Sequence, residues 1–221
     1  MIAWSFPKPV FPKGPDQDDV PGLDQVGLGI AQTSMLTVGH STLSIEIFLR
    51  ALEENGVQAL VDVRTVPRSR HNPQFGAEVL AASLATAKIE YRPMQGLGGL
   101  RHARKDSVNT GWRNSSFRGY ADYMQTGAFS AALQDLERLD SETTVAIMCA
   151  EAVPWRCHRS LIADALLVRG RSVYNLFVSP AGNCTRKAHV LTPFARVDGA
   201  RLWYPDPQEL PWPEKISGGS V

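Results

Sequence analysis

The sequence is short of nearly every feature that would take it out of the ordinary globular class. It has three cysteines in 221 residues, an odd number without repeating spacing. That excludes a fully paired disulfide framework and predicts a reduced, cytoplasmic setting. No run approaches the roughly 18 apolar residues of a membrane span, and no charged start followed by an apolar stretch resembles an export signal. Excess charge is missing too. The formal net charge is +1, so no overall field draws the chain to nucleic acid or membrane, and an anionic partner has to be met by local clustering. No internal repeat is present. What remains, 43% hydrophobic and 20% charged residues, is enough for one substantial core.

Proline and glycine mark the ends. Residues 1–33 hold Pro7, Pro9, Pro12, Pro15 and Pro21, which sustain neither helix nor strand, and read as a flexible N-terminal arm. Residues 34–192 read as a single α/β domain and residues 193–221 as a Pro-rich C-terminal extension, in which Leu202-Trp203-Tyr204-Pro205 is the part suited to packing on the body.

Within the domain, apolar runs and amphipathic stretches alternate. Met35 to His40 predicts a strand and Leu43 to Glu54 a helix stopped by Asn55-Gly56. Gln58 to Val63 and Ile89 to Pro93 predict strands on either side of an alanine-rich helix, Gly76 to Lys88. Phe117 to Leu139 is helical with a break near Gly127, Thr143 to Met148 is a strand, Cys157 to Arg169 a helix ended by Gly170, and Ser172 to Phe177 a fifth strand. Such alternation predicts a three-layer fold of the Rossmann or flavodoxin kind: a mainly parallel five-stranded sheet with helices on both faces. The polar stretch from Gln95 to Ser116 exceeds an ordinary connection and reads as a functional loop or lid.

In an open parallel sheet, ligands bind beyond the carboxyl ends of the strands, where the βα loops and helix amino termini meet. Each reactive cluster follows a strand: Gly39-His40-Ser41 after the first, Asp62 and Arg64 leading to Arg68 and Arg70 after the second, Gly98-Gly99 after the third, and Cys149-Ala150-Glu151 after the fourth. Singly, these have bland readings. Ser41 could cap a helix, the glycines could permit a turn, and Asp62 could pair with an arginine.

The stretch from Thr144 to Arg159 runs from a strand through Glu151 and Pro154-Trp155-Arg156 into Cys157-His158-Arg159. A cysteine at a strand end facing a helix amino terminus and cations is suited to ionise below its usual pKa of about 8.5. A strand, a cysteine, a loop and a helix with arginine is also the layout of rhodanese and tyrosine-phosphatase sites, and Cys149 with Cys157 could form a redox pair. In a third reading, Cys149, Glu151, Cys157 or His158 bind a metal. Against this, adjacent residues in a helix point about 100° apart. No cofactor is expected. The plain alternative makes both cysteines core residues and Glu151 an ion-pair partner.

Taken in order, Gly39-His40-Ser41, Asp62-Val63-Arg64 with Pro67, Ser69-Arg70 and Phe75, Leu97-Gly98-Gly99, and Cys149-x-Glu151 with Cys157-His158-Arg159 resemble the bacterial and archaeal family called domain of unknown function 488, over residues 36 to 178. The resemblance implies an α/β fold and a site at these motifs, without a reaction. It also leads one to expect a histidine after the fifth strand, where Tyr174-Asn175 stands here.

The expected activity is an enzyme acting on a phosphate-bearing or other anionic substrate, a nucleotide or nucleic acid among them. Cys149, Glu151 and His158 are the candidate catalytic residues, Cys149 as nucleophile or redox thiol and the other two moving protons. His40, Ser41, Asp62, Arg64, Arg70, Gly98, Gly99, Cys157 and Arg159 would bind the anion or substrate. The competing class is a non-catalytic nucleotide or nucleic-acid binding module, with Trp112, Phe117 and Tyr120 stacking on bases.

Overall fold

Runs of four or five buried residues, too short for a helix and apolar on both sides, are what a central parallel strand requires. Three such runs form the middle of the sheet in the computed structural model, which describes residues 34–208 apart from residue 69. They are β1 (Met35–Gly39), β2 (Ala59–Asp62) and β4 (Val145–Cys149), buried at every position. β3 (Glu90–Pro93) and β5 (Val173–Val178) flank them, and β6 (Cys184–Ala188) adds an edge. The strand order is β3-β2-β4-β1-β5-β6, parallel throughout except for the last pair. The sequence predicts five strands. The sixth escapes it because its residues are mostly exposed, so no apolar alternation marks it.

Side chains leave each strand on alternate faces, and the two faces have separate cores. Leu36, Val38, Leu60, Ala146 and Met148 meet α1 (Ile45–Glu54) and α2 (Ala77–Thr86) through Phe48, Leu52, Leu80 and Leu84. Met35, Val61, Ile147 and Cys149 meet α3 (Ser115–Tyr123), α4 (Gly127–Glu142) and α5 (Arg159–Val168) through Tyr120, Phe129, Leu133 and Leu161. Ser44, not Ser41, caps α1 by accepting from the Ile47 N–H. The break expected near Gly127 separates α3 from α4, with Thr126 capping the second helix.

The first eight residues of α5 are buried, more than a helix with one apolar face would be. Part of the cover comes from Ala195, Leu202 and Tyr204, which join its core, and from the β7 (Arg196–Asp198) and β8 (Arg201–Trp203) hairpin. Residues 193–208 thus pack on the body. Residues 1–33 and 209–221, including the expected N-terminal arm, lie outside the described residues. Among the described residues no helix is long and apolar enough to cross a membrane.

The chain advances from β1 through β2 to β3 with helices on one face, then returns to β4 and β5 with helices on the other. β4 therefore lies between two neighbours, β1 and β2, whose following helices are on the opposite side. A crevice must open where the loops part, at the carboxyl ends of these three strands.

Candidate active site

That crevice is a cleft of about 890 Å³. Its walls come from His40, Ser41 and Thr42 after β1, Arg64 to Val66 with Arg68 and Asn72 after β2, and Cys149 to Val153 with Arg156, Cys157 and His158 after β4. Gly99, Leu100, Asn114, Phe117 and Tyr120 close the remaining side. Of the residues predicted for the site, His40, Ser41, Arg64, Gly99, Cys149, Glu151, Cys157 and His158 line one space. Asp62, Gly98 and Arg159 lie behind its walls, and Arg70 is exposed outside it.

The loops cross tightly. A Cβ on Gly39 would lie 1.8 Å from the Glu151 carbonyl oxygen and 2.6 Å from an Arg159 nitrogen, so only glycine lets the β4 loop pass over the end of β1. The backbone N–H groups of His40 and Ser41 donate to the carbonyls of Cys149 and Ala150. Ser41 pays for this with φ of +46°, a conformation unusual outside glycine. The stretch from Gln95 to Ser116 is tied down as a wall: buried Asp122 accepts from the Arg104 N–H, the Ser107 hydroxyl and the Asn109 amide.

Arg64 is fully matched. Its guanidinium makes three hydrogen bonds to the Asp62 carboxylate, which also accepts from the Tyr91 hydroxyl at 2.7 Å. The remaining Arg64 nitrogen lies 3.3 Å from His40 Nε2, and His40 Nδ1 lies 2.9 Å from the Ser41 carbonyl. Since a carbonyl only accepts, Nδ1 carries the proton and Nε2 accepts from Arg64. Burial, with the Arg64 charge adding to it, lowers the His40 pKa to about 4, so the ring is neutral.

Arg159 is not matched. It is 1% exposed, and one nitrogen donates to the Ala152 carbonyl at 3.0 Å. Its Nε and other terminal nitrogen have no hydrogen-bond partner, and no carboxylate pairs with it among the described residues. Arginine does not shed its charge, and an isolated buried cation is costly. The acidic groups around it are the Cys157 and Cys149 thiols and the carboxylate of Glu151, an exposed residue.

The thiols divide the charge unequally. Cys149 is lowered to about 7, first because the Cys157 S–H donates to it, then through the Glu151 N–H, the Arg159 charge and the Ala150 N–H, with burial opposing. Cys157 is pushed well up by the same hydrogen bond and by burial. His158 Nε2 lies 3.0 Å from the Val63 carbonyl, so it carries the proton and donates, which turns the Nδ1 lone pair toward Cys157 Sγ at 3.8 Å. Burial lowers the His158 pKa to about 4, so it too is neutral.

One local reading of the sequence needs correction. α5 starts at Arg159, not Cys157. Cys157 is extended, with φ of −136° and ψ of 142°, after a 3-10 turn at Pro154–Arg156. The divergence of neighbouring helical residues therefore does not apply. The ligand atoms of Cys149, Cys157 and His158 lie within 4.8 Å of one another, while Glu151 is not in that group.

The family model for the domain of unknown function DUF488 matches residues 44–166, more than half of the chain. The chain belongs to this family. No curated protein and no solved structure matches it. The DUF488 match takes in every wall of the cleft except His40, Ser41 and Thr42. In this DUF488 protein the position after β4 is the best formed part of the site.

Three further residues matter that the sequence did not single out. Tyr91 completes the Asp62 shell, and Thr65 binds the Gly99 carbonyl at 2.9 Å. His189 lies with its Nδ1 3.3 Å from the Asn175 amide, and it donates to Asp164, which also holds the Tyr204 hydroxyl. That network pins α5 to β5 and the C-terminal segment and does not line the cleft. Trp112 packs on Phe117, Phe194 and Tyr204 and has no place in the cleft walls, so it offers no stacking platform there.

Proposed function

We propose that the cleft is the active site of a thiol-dependent enzyme acting on a small phosphate-bearing substrate of nucleotide size, with Cys149 as the attacking thiolate. The observation that carries this reading is the pairing of a cleft-facing cysteine with a buried, otherwise unmatched guanidinium. Arg159 provides a fixed positive charge behind the sulfur, and the Cys157 S–H and two backbone N–H groups hold the thiolate without a proton. The nucleophile is thus formed before substrate arrives.

Arg68 and Arg156, both exposed, line the same cleft, and exposed Glu151 is the acidic residue in its walls. The arginines receive the anionic oxygens, and Glu151 is placed to exchange a proton with the leaving group. His158 serves Cys157 instead, since its free nitrogen faces that sulfur. The strand-cysteine-loop-helix order is shared with rhodaneses and tyrosine phosphatases. The proposed chemistry differs in that Arg159 supports the sulfur from behind and leaves the anion to other residues.

Alkylation of the full chain by iodoacetamide tests this. Cys149 is expected to react with an apparent pKa near 7, and inorganic phosphate or a nucleoside monophosphate is expected to slow it. A Cys149 that titrates like a free thiol, or that no phosphate compound protects, overturns the proposal. Salt-sensitive nucleotide binding that survives replacement of both Cys149 and Cys157, without protection of Cys149, supports a binding module instead.

A further inference from the structure

We infer that Cys149 and Cys157 form a reactive dithiol that reduces hydroperoxides and closes to a disulfide, with His158 holding the second thiol by a hydrogen bond. The inference rests on the reading of Cys149 as a thiolate and adds a partner and a second reaction to it.

The geometry has three parts. Both cysteines line the cleft, so a small oxidant reaches them. Their sulfurs lie within 4.8 Å of one another. Closing this gap to the roughly 2 Å of a disulfide calls for side-chain rotation, and Cys157 lies in an extended segment ahead of α5, outside the helix. Finally, His158 has its one proton committed to the Val63 carbonyl and its lone pair turned to Cys157.

The Cys149 thiolate attacks the terminal oxygen of a hydroperoxide, the O–O bond breaks, and the alkoxide leaving group takes a proton from water. Cys149 is then a sulfenic acid, and the peroxide has been reduced to an alcohol. The Cys157 sulfur attacks the Cys149 sulfur while His158 Nδ1 holds its S–H in place. The S–O bond breaks, and the Cys157 proton leaves with the hydroxide as water. An external dithiol restores both thiols.

The same three side chains could hold a divalent metal. Arg159 argues against that occupant. Its guanidinium is buried beside both sulfurs with two nitrogens that have no hydrogen-bond partner, so it favours an anion there and repels a cation.

The experiment uses the full chain carrying Cys184→Ser, which leaves only these two thiols. Treatment with one equivalent of hydrogen peroxide at pH 7 should consume both thiols and yield a Cys149–Cys157 disulfide in peptide maps, reversed by dithiothreitol. Cys157→Ser should instead accumulate a Cys149 sulfenic acid that dimedone traps. His158→Asn should slow disulfide closure about 10-fold more than it slows the first oxidation. If Cys149 still alkylates with a pKa near 7 but no disulfide forms and Cys157 remains free, the dithiol proposal is wrong and the nucleophile reading stands. If Cys149 shows no enhanced reactivity, both fail. One equivalent of zinc that shields both thiols until a chelator removes it also overturns the dithiol.

Discussion

Two arginines are buried at the same edge of the sheet, and they are treated in opposite ways. Arg64 has a carboxylate, a phenol-supported one, and a neutral imidazole, so its charge is spent within the protein. Arg159 has one carbonyl and two unanswered nitrogens. A buried pair such as Asp62–Arg64 fixes the shape of a loop. An unanswered buried cation sets a potential, and the nearest ionisable groups respond to it. The first arginine is architecture. The second adds its charge to the Cys157 S–H and the backbone N–H groups that make a thiol acidic.

Acidification breaks both clusters at once and is the largest effect expected. His40 and His158 each have a folded pKa near 4 against 6.5 in the unfolded chain. The unfolded chain therefore takes up their protons first. The stabilisation is whole above pH 6.5 and is lost as the pH falls toward 4, roughly 3 kcal/mol for each ring at about 1.4 kcal/mol per decade. Urea unfolding across this range measures it, and a flat stability curve would mean that both rings are already charged in the folded protein.

Next comes the partner of the matched arginine. Asp62→Ala should cost about 3–5 kcal/mol, since it strands Arg64, whereas Tyr91→Phe should cost only about 1 kcal/mol. Equal losses would show that the phenol, not the ion pair, holds the loop.

Arg159→Met sharpens the contrast from the other side. Global stability should change by about 1 kcal/mol or less, because no ion pair is broken. The Cys149 thiol should rise from about 7 part of the way toward its ordinary range, because the Cys157 S–H and the backbone N–H groups remain, with alkylation at pH 7 falling a few-fold. A large loss of stability with an unmoved thiol would reverse the roles given to the two arginines.

The smallest effects separate the rim from the exterior. Arg68→Ala should weaken phosphate protection of Cys149 a few-fold, and Arg70→Ala should leave both protection and stability unchanged within about 0.5 kcal/mol.

The succession of strands and helices along the chain and the grouping of motifs at one edge are legible because each rests on local pattern: a short apolar run, then a polar loop, then a helix. His40, Arg64, Gly99 and Cys149 follow four such runs, and the strand-end rule brings them together. The strand arrangement was not written locally. That β4 lies between β1 and β2 depends on pairing across many residues. The start of α5 was misplaced by two residues because Cys157 and His158 suit a helix, while the 3-10 turn ahead of them sets the register. Arg159 read as an anion ligand because sequence carries no sign of whether a guanidinium faces a cleft or lies beneath it. The bland alternative for Ser41, a helix cap, does not hold, because the sharp turn at this residue comes from its contact with the β4 loop, far along the chain.

The central place of β4 has a consequence for synthesis of the chain. When a ribosome has delivered residues up to 144, β1 exists without either of its hydrogen-bonded neighbours, β4 and β5, and β2 holds only β3. The sheet cannot be completed across its middle until the segment ending in Cys149 emerges. Arg159 and Cys157 follow within a few residues. The nascent protein therefore carries an ordinary thiol, and the acidic one arises only when the last long-range pairings close.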